Sequence, residues 1–259
     1  MQFSFGAETI HVNLPDAPAL LNEIAQRFRQ GKGFALATIN LDHLVKLRRD
    51  PAFLAAYAAH DLVVADGNPI VWLSRLAGRP VSLVPGSDMV LPIAREAAKA
   101  GVSVALVGST PEALAAAGRD LVAKVPGLNI VAEIAPPFGF DPAGESADSV
   151  LDQIAASGAG LCYLALGAPK QERFAARGHQ KLPGVGFASI GAGLDFLAGR
   201  QRRAPAWVRK LALEWVWRML SSPRRLVPRY AACAAILPGQ LGAAIALRGT
   251  AAQIGDAKG

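Results

Sequence analysis

The sequence predicts an α/β fold: a Rossmann-like, mostly parallel sheet with helices on both faces, followed by a basic helical C-terminal appendage. Three observations predict it. Short apolar runs alternate with helical periods at βαβ spacing along most of the chain. The runs end in glycine or polar residues, at Thr38-Ile39-Asn40, Asp66-Gly67, Gly108-Ser109, Gly167 and Gly191-Ala192-Gly193. The net positive charge comes from one late stretch: Arg200 to Tyr230 holds nine basic residues against one acid, a net +8 in a chain of net +7, which leaves −1 for all the rest.

In chain order, Phe3 to Phe5 and Ile10 to Val12 flank a polar turn and read as a hairpin. Leu20, Leu21, Ile24 and Phe28 recur at helical spacing between Pro15 and Gln30. Phe34 to Thr38 is a short strand before a helix starting near Asp42, and Leu62 to Ala65 is a strand that leaves Asp66 at its tip before the helix Ile70 to Leu76. Ser87 or Asp88 is the expected cap of the next helix. Strand Val102 to Val107 runs into Thr110-Pro111, an N-cap followed by a proline suited to the first helical position. The alternation continues through helix Pro111 to Lys124, strand Asn129 to Ile134, helix Glu145 to Ala155, strand Leu161 to Leu166 and strand Val185 to Ile190.

The turn at Leu164-Ala165-Leu166-Gly167-Ala168-Pro169-Lys170-Gln171-Glu172 is the centre of this organisation. Gly167 permits a tight turn, Pro169 suits the first helical position, and Lys170 and Gln171 fall where helix N–H groups point outward and can receive an anion. Alone, such a turn is also ordinary scaffold punctuation. Its weight comes from company: in an open parallel sheet, ligands bind beyond the carboxyl ends of the strands, where helix N-termini also point. Thr38, Asn40, Asp66, Gly108, Ser109, Phe138 and Gly191 to Asp195 fall at such ends, which suits a diphosphate.

Composition and absences narrow the guest. With 259 residues, 52% of them hydrophobic, the chain can bury a substantial core. The two cysteines, Cys162 and Cys233, lie in apolar runs and read as small core residues of a reducing compartment. No signal peptide is apparent at the N-terminus, so a cytoplasmic protein is expected. Gly31 and Gly33 precede their strand, so the dinucleotide fingerprint fails, and neither a Walker lysine motif, His-Glu-x-x-His, Gly-x-Ser-x-Gly nor a metal-holding Asp-x-Asp is found. His11, His43, His60 and His179 lack metal spacing. The longest apolar tract, Tyr230 to Leu247, is interrupted by Pro238-Gly239-Gln240, and the expected membrane contact is peripheral.

Several motifs occur in a fixed order: Asp66-Gly67 with Ile70-Val71-Trp72, Pro85-Gly86-Ser87-Asp88, Leu166-Gly167-Ala168-Pro169-Lys170-Gln171-Glu172, and Gly191-Ala192-Gly193-Leu194-Asp195-Phe196. Arg203-Ala204-Pro205, Glu214-Trp215 with Arg218, and Pro223-Arg224-Arg225-Leu226 with Arg229-Tyr230 follow. This series, from about Thr38 to Tyr230, resembles the WecG/TagA/CpsF family of bacterial glycosyltransferases. The resemblance implies inverting transfer of a sugar, of N-acetylmannosamine, mannosaminuronate, glucose or glucuronate type, from a UDP-sugar to a polyprenyl-diphosphate-linked acceptor in cell-surface polysaccharide synthesis. It implies no cofactor and no required metal.

By the same resemblance Asp66 is the proposed base with Thr38 beside it, and Arg218, Arg225 and Arg229 of the appendage reach the active site; Asn40 joins the catalytic group by its place at the same strand end. The resemblance assigns UDP contacts to Gly108, Phe138, Gly167, Gln171 and Asp195, and the strand ends and the turn at Gly167 add Ser109, Pro169, Lys170 and Gly191 to the donor side. The partners implied are a UDP-sugar donor, a lipid-linked glycan acceptor and the cytoplasmic membrane surface on its inner face, with no nucleic acid and with homo-oligomerisation left open.

The residues suit such chemistry. An acceptor hydroxyl needs a base, and a carboxylate at a strand tip supplies one. The leaving UDP needs its charge stabilised, which helix N-termini and bidentate arginines do. Asp66 has a plainer alternative as a helix cap, Thr38 and Asn40 as backbone partners, and Asp195 as a partner of its own loop.

Residues 1–198 are expected to form the catalytic core and 199–259 a basic, Trp-rich appendage. Trp207, Leu211 and Trp215 beside Lys210, Glu214 and Arg218 give one helix an apolar stripe and a charged ladder, suited to docking on the core or on lipid. Two other classes compete with the enzyme: a nucleic-acid-binding basic protein and a non-catalytic membrane scaffold. The chain also departs from the family at Leu83, where an arginine is usual, at Gly193-Leu194 and at Pro228.

Overall fold

The computed structural model describes residues 1–199 and 214–256. A two-stranded hairpin, β1 (Gln2–Phe5) and β2 (Glu8–His11), precedes α1 (Ala17–Gln30). Then come β3 (Phe34–Ile39), α2 (Leu41–Leu47), α3 (Pro51–Ala58), β4 (Leu62–Ala65), α4 (Asn68–Leu76), α5 (Gly86–Lys99), β5 (Val104–Gly108) and α6 (Pro111–Lys124). The core closes with β6 (Ile130–Ile134), α7 (Glu145–Ser157), β7 (Leu161–Ala165), α8 (Lys170–Lys181), β8 (Gly186–Ser189) and α9 (Gly193–Leu197). Two further described helices follow, α10 (Glu214–Ser221) and α11 (Pro223–Asp256).

The described strands β3 to β8 form one sheet in the order β4-β3-β8-β7-β5-β6, and every neighbouring pair is parallel. Successive side chains of a strand face opposite ways, so each strand feeds two cores. Phe34 and Leu36 of β3, with Val104 and Leu106 of β5, pack with Leu20, Ile24, Ile93 and Leu114 on one face. Ala35, Ala105 and Val107 join Leu151, Phe174 and Phe187 on the other, where Ala37 and Ile39 meet Leu44, Tyr57 and Ile70. Each fully buried leucine or isoleucine contributes about 1.5–3 kcal/mol, which explains why almost continuous apolar strands fold as interior ones.

The helix starts follow local chemistry. Asp16, Asn40, Asp50 and Thr110 each accept a backbone N–H at the first turn of α1, α2, α3 and α6. The expected Ser87 or Asp88 cap of α5 is not formed: the helix begins at Gly86 with Pro85 in the cap position and no side-chain cap. The earlier start follows from packing, because Gly86 lies against Thr38 and Ile190 where a Cβ would stand 3.2–3.3 Å from their atoms.

The expected break at Pro238-Gly239-Gln240 is also absent, since α11 runs through Pro228 and Pro238. An interior proline costs a helix about 3 kcal/mol, and tertiary packing offsets it. Leu226, Cys233, Gln240 and Ala244 are buried along one stripe of α11, and Ile236, Ala244 and Leu247 join the apolar cluster built on α2, α3 and α4. Val227, Leu241 and Ile245 stay exposed. Within α11, Leu226–Gly249 is long and apolar enough to cross a membrane, with mean hydropathy 1.6 and 17% of its most apolar stretch buried. Trp215 of α10 packs edge-on against Tyr230 of α11 at 5.7 Å between ring centres. The expected stripe through Trp207 and Leu211 and the Arg203-Ala204-Pro205 motif lie outside the described residues.

Candidate active site

Strand register gathers the first group of site residues. Thr38 pairs with Val64 and Ile39 with Ala65, and the Asp66 N–H donates to the Ile39 carbonyl at 2.7 Å. Asp66 therefore stands one step past the tip of β4, beside the tip of β3. Gly67 makes the turn into α4 at φ +125°, a conformation that favours glycine, and a Cβ there would lie 3.7 Å from Asn40 Cβ. Asn40 Oδ1 accepts the His43 N–H at 3.1 Å, so its oxygen is committed to capping α2. Thr38 is buried, with its hydroxyl and methyl against Gly86. Leu83 is 41% exposed, and its neighbour Val84 donates its N–H to the Ala65 carbonyl at the end of β4.

The second group lies at the ends of β5 and β7. Ser109 adopts φ +54° and its Oγ donates to Asp195 Oδ1 at 2.7 Å, tying the β5 turn to α9. Gly108 is required beneath it: a Cβ there would meet the Ala165 carbonyl oxygen at 2.5 Å. Gly191 leaves β8 at φ +58°. Phe138 stands wholly exposed in the loop between β6 and α7, and β6 is the edge strand.

The turn after β7 is built differently from its sequence reading. Gly167 is exposed at φ +72°, the Ala168–Pro169 peptide is cis, and Pro169 occupies the cap position of α8 rather than its first helical residue. Lys170 is exposed. Gln171 does not point its N–H outward; that group donates to the Gly167 carbonyl at 3.1 Å. Its buried side chain donates to Glu172 Oε1 at 2.8 Å. The first turn of α8 is therefore closed by an ordinary helical bond, and the side chains of Gln171 and Glu172 go inward.

Beneath this turn lies a polar cluster that sequence reasoning missed. Glu172 is fully buried, and burial raises its carboxyl pKa to about 7. His43 Nε2 lies 3.9 Å from Glu172 Oε1, and its Nδ1 is 3.2 Å from the Tyr57 hydroxyl. Burial depresses the His43 pKa to about 3, keeping the ring neutral. At the cluster's margin Lys46 Nζ donates to the Ala168 carbonyl at 3.1 Å and pairs with Asp42 Oδ2 at 2.8 Å. Asp42 Oδ1 faces Arg229 Nε of α11 at 3.2 Å. The i, i+4 spacing of Asp42 and Lys46 was the available signal, but such pairs usually mark a solvated helix face.

Arg229 is thus held by Asp42, while the side chains of Arg218 and Arg225 lie outside the described residues. Among the described residues, no three His, Cys, Asp or Glu side chains gather as a metal site.

An all-parallel six-stranded sheet flanked by helices, with glycine turns and polar side chains at its carboxyl rim, defines a Rossmann-like α/β protein. Residues 7–246 match the model of the "Glycosyl transferase WecG/TagA/CpsF family", and the chain belongs to that family of glycosyltransferases. It is also 27% identical to the N-acetylglucosaminyldiphosphoundecaprenol N-acetyl-beta-D-mannosaminyltransferase of Bacillus spizizenii, over 78% of each chain.

Proposed function

We propose that the protein transfers a sugar from a UDP-sugar to a polyprenyl-diphosphate-linked acceptor, with inversion, on the inner face of the cytoplasmic membrane, as a step in cell-surface polysaccharide synthesis. The observation that carries this reading is the convergence of Asp66 and Thr38 on one side of the rim and Gly108, Ser109, Asp195 and Gly167 on the other. The relative's name directs the choice of sugar to N-acetylmannosamine and of acceptor to N-acetylglucosaminyl-diphospho-undecaprenol.

In this mechanism Asp66 takes the proton of the acceptor hydroxyl as its oxygen attacks the anomeric carbon, and the bond to the UDP oxygen breaks with its electron pair. One base and one displacement give inversion. Charge developing on UDP is stabilised by backbone N–H groups at helix starts and by arginines of the appendage, Arg218 and Arg225 among them, without a required metal. Gly108, Ser109, Phe138, Gly167, Pro169, Lys170, Gly191 and Asp195 line the donor side, and Gln171 shapes its turn from below. Residues 1–198 act as the catalytic core, and the segment from 199 onward brings it to the membrane.

The test screens UDP-sugars, beginning with UDP-N-acetylmannosamine, against prenyl-diphosphate-linked N-acetylglucosamine in detergent or bilayers. Transfer is expected with the unaltered chain, and Asp66→Asn should keep UDP binding while losing transfer. Full activity in that variant would remove Asp66 as the base.

A further inference from the structure

The C-terminal helix and the turn after β7 are joined by an unbroken line of charged contacts. Arg229 of α11 faces Asp42 Oδ1 at 3.2 Å, Asp42 Oδ2 faces Lys46 Nζ at 2.8 Å, and Lys46 Nζ donates to the Ala168 carbonyl at 3.1 Å. The three residues come from α11 and α2, and the last contact lies between Gly167 and Pro169.

Asp42 is 8% exposed and lies within ion-pair distance of two cations, one at each oxygen, although neither its Oδ2 nor Arg229 Nε completes a hydrogen bond. A buried carboxylate bridging two cations is geometrically demanding, and removing one partner leaves the remainder poorly compensated. With Asp42 and Lys46 alone the pair is neutral; a seated Arg229 adds one positive charge next to the turn. The other titratable groups of the cluster are His43, kept uncharged by burial, Glu172, whose burial favours the neutral acid, Tyr57, whose burial keeps its hydroxyl protonated, and Cys233, whose burial raises its thiol pKa. Seating α11 therefore changes both the field at the turn and the anchorage of Lys46.

We propose that Asp42 and Lys46 are positioning residues that couple the seating of α11 to the shape of the Gly167–Pro169 turn, so that the turn grips a nucleoside diphosphate only while Arg229 is engaged. This rests on the reading of the rim as a UDP-sugar site and assigns Arg229 an action through Asp42 and Lys46 rather than on substrate. Coupling between two sites is reciprocal. A diphosphate bound at the turn must then hold α11 down as firmly as α11 holds the turn.

The molecule carries its own reporter. Cys233 is 6% exposed along the docked stripe of α11, so it is reached by a thiol reagent when the helix lifts. Cys162, fully buried in β7, is the slow internal reference.

The experiment measures the rate of Cys233 modification with and without saturating UDP, alongside UDP binding by calorimetry and the donor KM and kcat in the transfer assay. In the unaltered chain UDP should slow modification by about fivefold or more, within the usual range of coupling between sites. Lys46→Met should abolish that protection and raise donor KM by a similar factor with little change in kcat. Lys46→Arg should restore both, which a loss of folding would not. Arg229→Met should raise Cys233 reactivity in the absence of UDP. UDP binding that leaves Cys233 reactivity unchanged, or Lys46→Met with wild-type protection and donor KM, overturns the proposal while leaving the transferase reading intact. Failure of the unaltered chain to bind UDP would remove both.

Discussion

The hydroxyl of Ser109 donates to the carboxylate of Asp195 at 2.7 Å, joining two turns that lie 86 positions apart in sequence. Ser109 follows β5 and Asp195 lies in α9 just after β8, so the bond ties those two strand ends to each other. Ser109→Ala should weaken UDP binding by about tenfold, the equivalent of about 1.4 kcal/mol for one charge-assisted bond. Ser109→Gly removes the same bond and relieves the positive φ, so it should bind UDP as poorly as the alanine variant yet melt at a higher temperature. Calorimetry and thermal melts check the pair.

Gly108 separates space from chemistry. Any Cβ would stand 2.5 Å from the Ala165 carbonyl oxygen, on a backbone already at φ +116°. Gly108→Ala should destabilise the core by about 3 kcal/mol or more through the clash and the strained backbone together. Denaturant unfolding measures it, and a wild-type midpoint would show that β5 and β7 can spread.

Glu172 makes stability depend on pH in a defined direction. Burial raises its folded pKa from 4.5 to about 7, so the folded chain binds more protons than the unfolded one between those values. The carboxyl therefore destabilises the fold progressively as pH rises from about 4.5 through about 7, and imposes no such cost below that window. His43 and His60, with folded values lowered to about 3 and about 4, work in the opposite sense, since stability is lost as pH falls below their unfolded value. Comparison with Glu172→Gln isolates the carboxyl. The variant should gain about 2–3 kcal/mol relative to the unaltered chain between pH 5 and pH 8. Parallel profiles would mean that Glu172 reaches solvent.

The outward face of α10 and α11 is expected to meet lipid. Trp215, Trp217, Leu220, Leu241 and Ile245 are exposed there, with Leu220 at 73%. Leu220→Glu with Ile245→Glu should lower partition onto vesicles containing anionic lipid by at least about tenfold, since each change removes apolar burial and adds repelled charge. The melting temperature should not fall, because neither side chain packs in the core. Sedimentation with vesicles at two salt concentrations also separates charge from apolar contact.

How much of this was legible in the sequence depends on range. The alternation of apolar runs with helical periods determined the parallel sheet, because a strand buried on both faces has little choice but Leu, Val, Ile and Ala. The strand ends followed from it, and with them Asp66, Thr38, Gly108 and the Gly167 turn, since a parallel sheet sends every carboxyl end to one rim. Thr110 was readable as a cap for the same local reason, whereas Asn40, placed with the catalytic group, caps α2. What the sequence did not determine was decided by contacts between distant segments. Pro238 reads as a helix breaker locally, yet the docked stripe around Cys233, Gln240 and Ala244 carries α11 through it. Gln171 reads as a helix-start residue with its N–H turned outward, yet tertiary packing buries its side chain together with that of Glu172. Arg229 was expected to reach the active site, and only the packing of α11 on α2 set it against Asp42. Local propensity and periodicity specify elements; which side chains share a buried space is fixed when those elements close on one another.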